Sequence, residues 1–352
     1  MISVLDTSIC TENLGDFIIM EAVRRELADL FPDEHHVNIP THDVLGPEAI
    51  RLLKESRFGI VGGTNLISSN MEPAPMRGTF RHKFRKFLRP SVERCNQWRL
   101  TREDRRLLPK KLILLGVGWW QYQASPLPYT RALLRSVLHE DMLHSVRDEY
   151  TSDMLKAAGF KNVLNTSCVT LWRLDADHLA KVPSSKAPEV ISTLTYYKPA
   201  PEMDRKMLVT LLSNYDKVHL WIQGSKDRAY AASICGDLPI SFISPNLPAF
   251  DWLLQRAPAI DYVGTRLHAG IRALQMRRRT LIVSVDNRAT EISRDTGLPV
   301  LERSDVESLS ELINRNDPIC LKLPWENIQR WREQFKDGLP RMHDRFLAGG
   351  KL

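Results

Sequence analysis

The chain has 352 residues, 43% hydrophobic and 26% charged, with a net charge of +7. That length suggests two domains with real cores, and no stretch approaches the roughly 20 apolar residues needed to cross a bilayer. The N-terminus lacks the basic and apolar runs of a secretory signal, so a cytoplasmic protein is expected. The five cysteines, Cys10, Cys95, Cys168, Cys235 and Cys320, form no C-x-x-C pair. Neither a zinc site nor a disulfide framework is indicated, and buried reduced thiols are expected.

Short apolar runs alternate with helical patterns along the chain, as in parallel sheets covered by helices. Ile2 to Leu5 reads as a strand, and Asp16 to Phe31 as a helix with Phe17, Met20, Val23, Leu27 and Leu30 on one face. Phe58 to Val61 is a buried strand ending in Gly62-Gly63, and Lys111 to Leu115 another, ending in Gly116-Val117-Gly118. Asp141 to Val146 reads as a strand, followed by a helix from Asp148 to Ala158. A polar, proline-bearing linker then spans Ala176 to Pro188. Beyond it, strands are expected at Val190 to Tyr196, Lys217 to Ile222, Ile240 to Ile243, Ile260 to Val263 and Thr280 to Val285. Trp325 to Phe346 closes the chain as one or two amphipathic helices. The fold class is therefore α/β, with two Rossmann-like domains, 1–175 and 188–323, facing a cleft, and C-terminal helices over 324–352 that could pack back on the first domain. This arrangement resembles the glycosyltransferase-B fold, in which ligands bind at the carboxyl ends of the strands.

The positive charge is local. Twelve Lys or Arg and three acids lie between Arg81 and Lys111, interleaved with Phe84, Phe87, Leu88 and Trp98. A basic amphipathic stretch of this kind, 80–111, is either a solvated helix or a peripheral contact with an anionic membrane surface. Nucleic acid ranks behind both and is not expected.

Four constellations carry chemistry. Val263-Gly264-Thr265-Arg266-Leu267-His268-Ala269-Gly270 runs from a buried strand into a helix start. A helix N-terminus offers free N–H groups to an anion, Arg266 adds a planar fork, and His268 can supply a proton. Asn13-Leu14-Gly15-Asp16 follows the first strand; Asp16 either caps the helix or meets a ligand hydroxyl. Gly62-Gly63 lets a phosphate or carboxylate approach the backbone. In Ser145-Val146-Arg147-Asp148-Glu149 the acids suit a helix start, whereas Arg147 there is unfavourable unless it serves a site. Walker-type, H-E-x-x-H and G-x-S-x-G motifs are absent, and the histidines show no metal spacing.

Taken together and in this order, these four elements resemble the polysaccharide pyruvyl transferase family. The resemblance implies a donor, phosphoenolpyruvate, whose pyruvate is placed as a cyclic ketal across two hydroxyls of a sugar. The acceptor is a polysaccharide or a lipid-linked oligosaccharide, and the basic segment 80–111 would allow a peripheral place at the inner face of the cell membrane. Arg147, Arg266, Leu267, Gly62 and Gly63 would hold the donor. Asn13, Gly15 and Asp16 would face the acceptor. His268 would be the general acid, Arg266 would support it, and Asp16 is a candidate base. The scheme requires no metal or other cofactor. Two alternatives stand beside it: a glycosyltransferase of the same architecture using a nucleotide sugar, and a non-enzymatic module binding anionic membrane or nucleic acid. The helix start lowers the pKa of His268 and a trianionic donor raises it, so His268 is expected to protonate when donor binds.

Overall fold

The computed structural model describes residues 1–71, 98–100, 104–108, 110–256 and 259–336. Most of the basic segment 80–111 and the end of the chain beyond 336 lie outside the described residues.

The first half runs β1 (Ile2–Asp6), α1 (Leu14–Leu30), β2 (His36–Pro40), α2 (Pro47–Glu55), β3 (Gly59–Gly62), α3 (Asp104–Leu107), β4 (Leu112–Leu115), α4 (Pro128–Val137), β5 (His144–Val146), α5 (Glu149–Ala157) and β6 (Val163–Asn165). A 3-10 turn at Val169–Leu171 and a short helix, α6 (Ala176–Leu179), lead into the second half. There follow β7 (Glu189–Ser192), α7 (Pro201–Asn214), β8 (Lys217–Trp221), α8 (Asp227–Cys235), β9 (Ile240–Ile243), α9 (Leu247–Arg256), β10 (Ile260–Gly264) and α10 (Leu267–Gln275). The described residues close with β11 (Thr280–Ser284), α11 (Asn287–Thr296), β12 (Val300–Glu302), α12 (Leu309–Asn314) and α13 (Trp325–Glu333).

Strands such as Leu112–Leu115 and Ile260–Gly264 are buried along their whole length, as expected where helices cover both faces of a parallel sheet. The first sheet has the order β2-β1-β3-β4, and a parallel bridge between Val117 and Val146 continues it into β5 and β6. The second has the order β12-β11-β10-β7-β8-β9. Among the described residues, all pairings between these strands are parallel. This is a glycosyltransferase-B-like α/β fold of two Rossmann-like sheets. Strand order reverses between β1 and β3 in one sheet and between β7 and β10 in the other, the positions where such sheets bind ligands.

One apolar cluster runs through the junction of the halves, joining Ile19, Met20 and Val23 of α1, Val169 and Trp172, and Leu267, Ile271 and Leu274 of α10. The expected inward face of α1 needs correction. Phe17 is 40% exposed, and Ile18 and Ile19 are buried instead. The reason is that α1 packs on two sides, against its own sheet and against α10. Three strands escaped the sequence reading: β2, β6 and β12. Two have three residues each and β2 is largely half-buried at a sheet edge, too little for a periodicity signal. The linker read at Ala176 to Pro188 contains α6, capped by the Asp175 side chain.

The chain returns to the first half at its end. Trp331 meets Trp172 at 5.8 Å between ring centroids, and Phe335 meets Phe31 and Phe58 at 5.1 and 5.5 Å. Buried Glu26 of α1 accepts from Arg173 at 3.0 Å and also from Arg332 of α13. Among the described residues, no helix is long and apolar enough to cross a membrane.

Candidate functional site

The loops that leave the carboxyl ends of the strands meet between the two sheets. Leu14 donates its amide to the Gln223 carbonyl at 3.0 Å, and Asn287 of α11 reaches the Trp119 carbonyl at 3.5 Å. Asp295 of α11 accepts from the Glu149 amide and from Asn165, both at 2.8 Å. At the centre, Nε2 of His268 lies 3.7 Å from Sγ of Cys168, and both side chains are buried.

His268 sits in the first turn of α10, with Arg266 as the N-cap residue. Burial holds the imidazole pKa well below its ordinary value, and the charges of Arg288 and Arg147 push it further down, against a smaller opposing effect from Asp286. The histidine is therefore neutral at pH 7. Arg147 of the first half and Arg288 of the second thus both act on the charge of this ring.

Each of three arginines here has an aspartate partner. Arg147 donates through Nε to Asp148 at 3.1 Å, Arg266 through Nη2 to both oxygens of Asp227 at 2.5 and 2.6 Å, and Arg288 to Asp286 at 2.6 Å. Tyr197 lies between two of them, its ring centroid 5.0 Å from Arg266 Cζ and 5.8 Å from Arg288 Cζ. A buried guanidinium without a counter-charge is costly, so the aspartates make it possible to keep these cations in a dry site. The Asp286 carboxyl is resisted by burial, yet Arg288 holds it below its usual range.

Arg147 is 1% exposed, and its Nη2 donates to Asn65. Its Nη1 is buried with no hydrogen-bond partner. Gly118 makes room for it, because a Cβ there would stand 2.3 Å from Arg147 Cζ. A buried donor left unsatisfied is unusual enough to need a reason, and a ligand anion supplies one.

Several sequence expectations change in this setting. Gly62 and Gly63 do not form an open anion cradle. Cβ atoms there would strike Met20 Sδ at 2.9 Å and Ile19 Cγ2 at 2.1 Å, and the Gly63 amide already donates to the Leu115 carbonyl at 2.8 Å. These glycines let α1 lie close to β3. Asn13, not Asp16, caps α1, accepting from the Gly15 amide at 3.1 Å. Asn13 also accepts from Gln223 at 2.7 Å, and a Cβ on Gly15 would meet that same amide at 2.9 Å. Asn13 and Gly15 thus sit where the two halves join. The Leu267 side chain belongs to the apolar core, leaving only its first-turn amide for a ligand. The Arg266 fork is largely engaged by Asp227 and, through Nε, by the Leu194 carbonyl at 3.3 Å.

Asp16 remains in the site. It is buried, accepts from Thr11 at 2.6 Å, and faces His42, Thr64 and Arg288. Burial raises its pKa, against the hydrogen bond from Thr11 and the charge of His42. Cys10, Thr64 and Ser167, in loops after β1, β3 and β6, all have left-handed backbones, with φ of 61°, 65° and 62°. Such conformations cost about 1–3 kcal/mol each and gather at working sites.

Sequence reading missed Arg288, Asp286, Tyr197, Asp227 and Gly118; its expectation of buried reduced thiols holds for Cys168 and Cys235, whereas Cys10 and Cys320 are exposed. The Asp286-x-Arg288 pair after β11 repeats the strand-end placement of Arg266 and was the available signal. Among the described residues, no group of three His, Cys, Asp or Glu side chains is placed to hold a metal ion.

Two parallel sheets meeting over a buried histidine ringed by arginines define the architectural class. The chain belongs to the polysaccharide pyruvyl transferase family, whose sequence profile matches residues 13–287. It is a transferase of polysaccharide modification. No curated protein matches the chain. Among solved structures it is similar to the S. aureus MnaA-UDP co-structure, at 14% identity and TM-score 0.43, covering 94% of this chain and 90% of that one. It is also similar to UDP-GlcNAc 2-epimerase from Neisseria meningitidis bound to UDP-GlcNAc, at 11% identity and TM-score 0.42, covering 96% and 93%. A third is E. coli heptosyltransferase WaaC with ADP, at 10% identity and TM-score 0.35, covering 94% and 99%.

Proposed function

We propose that this protein transfers pyruvate from phosphoenolpyruvate to two hydroxyls of one sugar, forming a cyclic ketal on a polysaccharide or a lipid-linked oligosaccharide. The observation that carries the reading is the unpaired Nη1 of Arg147, buried beside neutral His268. It suits a small, strongly anionic donor held between the sheets. Family membership supports the pyruvyl group.

In this scheme Arg147 and Arg288 bind the donor's carboxylate and phosphate. Arg266 contributes through its charge and through the first-turn amides of α10, including that of Leu267. Arg147 and Arg288 depress the His268 pKa in the empty site, and the donor's anionic groups neutralise that effect. The donor's negative charge therefore acts on His268 and raises its pKa. His268 then protonates the methylene carbon of the enol, leaving positive charge at the adjacent carbon. A sugar hydroxyl attacks that carbon and gives up its proton, with Asp16 as the candidate acceptor of it. The carbon–oxygen bond to phosphate breaks, phosphate leaves, and the second hydroxyl closes the ketal with loss of its own proton. The chemistry needs no metal, because the arginines carry the positive charge.

Phosphate release from phosphoenolpyruvate, measured across a panel of acceptor glycans, tests the reading. Release should require an acceptor and should fall about a thousandfold or more in His268→Ala, on the scale of a lost general acid with its supporting contacts. Thermal stabilisation by nucleotide sugars and none by phosphoenolpyruvate would replace this reading with glycosyl transfer.

A further inference from the structure

We propose that Cys168 is a positioning residue for His268: its thiol, held by Thr170, donates across the junction of the two halves to Nε2 and fixes the imidazole as its Nδ1–H tautomer. The role rests on the reading of His268 as the acid, but the contact itself does not depend on which donor binds.

Three observations carry it. Sγ of Cys168 lies 3.7 Å from His268 Nε2 and 3.0 Å from Thr170 Oγ1, so the three groups form one chain of polar contacts. Cys168 and Thr170 are each 1% exposed and His268 is 4% exposed, so water does not compete. The preceding residue, Ser167, holds a left-handed backbone at φ 62° and keeps a buried hydroxyl with no partner. The Ser167 amide donates to Asn165 Oδ1 at 3.0 Å and so shapes the turn that carries Cys168. The arrangement is explained if the turn exists to present the cysteine.

The direction of donation follows from chemistry. Burial raises the thiol pKa, so sulfur keeps its proton. An S–H donates to an imidazole lone pair more readily than sulfur accepts an N–H. Thr170 O–H then donates to sulfur, sulfur donates to Nε2, and Nδ1 bears the ring proton. When donor binding charges the ring, the second proton enters at Nε2 and the thiol turns its hydrogen towards Thr170. Because Cys168 comes from the first half and His268 from the second, the ring is fixed only while the halves are together. The contact links closure to readiness of the acid.

The test uses the full chain labelled with 15N-histidine, with the His268 resonances assigned by difference from His268→Gln. Wild type, Cys168→Ser and Cys168→Val are compared without ligand and with saturating phosphoenolpyruvate. Nε2 should resonate as an unprotonated acceptor nitrogen in wild type and in Cys168→Ser. In Cys168→Val, which keeps the packing volume, the tautomer ratio should move about tenfold or more, and the donor-induced pKa rise should change with it. An Nε2–H tautomer in wild type, or an unchanged ratio in a folded Cys168→Val, overturns the proposal. If phosphoenolpyruvate does not bind, the proposed function falls, while the ligand-free tautomer comparison still decides the role of Cys168.

Discussion

Arg266 and Asp227 form a buried, two-oxygen ion pair: one guanidinium nitrogen lies 2.5 and 2.6 Å from the two carboxylate oxygens. The same carboxylate accepts from the Gly224 amide at 2.7 Å and the Tyr196 amide at 3.2 Å. Asp227 therefore sets the position of Arg266 and of two strand-end loops. Asp227→Asn keeps the shape and removes the charge, leaving Arg266 buried without its partner. Urea denaturation should show a loss of about 3 kcal/mol, the scale for breaking one side of a buried pair. Donor affinity should rise in the folded fraction, because the freed arginine gains a second use.

Gly118 is the floor beneath Arg147. A methyl group added there would overlap the guanidinium at Nε and Cζ, both 2.3 Å away. Gly118→Ala should weaken donor binding about tenfold or more by calorimetry. That is the scale of one charge-assisted hydrogen bond lost or misdirected. Arg147→Lys should do at least as much, since an ammonium presents its donors from a single nitrogen and lacks the planar fork that spans Asp148, Asn65 and a ligand. Equal donor affinity in both variants would remove Arg147 from the donor site.

His268 should be neutral in the free protein across the neutral range, because burial and two arginines lower its pKa. Saturating phosphoenolpyruvate should move that pKa upward, read by NMR titration. In Arg147→Gln the resting pKa should itself rise, since one of the depressing charges is gone. A resting value that stays put would show that Arg147 is not felt at the ring.

His144 offers a separate stability test away from the site. Burial lowers its pKa from 6.5 to about 4, and its ring contacts the His139 carbonyl at 2.9 Å. Below pH 6.5 the unfolded chain takes up a proton that the folded form refuses. Its stability contribution is therefore intact above that pH and is lost as pH falls towards 4. The full difference is about 3 kcal/mol, at 1.36 kcal/mol per pKa unit. His268 acts in the same direction, so the expected result is a shallower slope in His144→Gln than in wild type, measured by denaturation from pH 7 to 4.

The sequence announced the parts of this site that combine a strand end with a residue ill-suited to its place. Arg147 before a helix start and Arg266 at another could be found because local electrostatics argues against a cation there. Cys168 could not, since its role lies in contact with a residue a hundred positions away. Gly118 and Tyr197 were silent for the same reason: each matters through an arginine brought to it by folding. The glycine pair misled because close helix packing and close ligand approach demand the same missing side chain. Strand assignment worked where apolar runs were fully buried, as at Leu112–Leu115, and failed at the edges, where β2 and β12 carry mixed residues.

The return of α13 to the first half has a mechanical consequence. The chain passes between the two halves twice, once near Val182 to Glu189 and again between Asn314 and Trp325, and the second passage is secured by Trp331 and by Arg332 on Glu26. A body tied to another at two points cannot swing freely in every direction. A parting of the halves that leaves both crossings and the α13 contacts in place would be a rotation about the line through them, carrying His268 away from Cys168 and back.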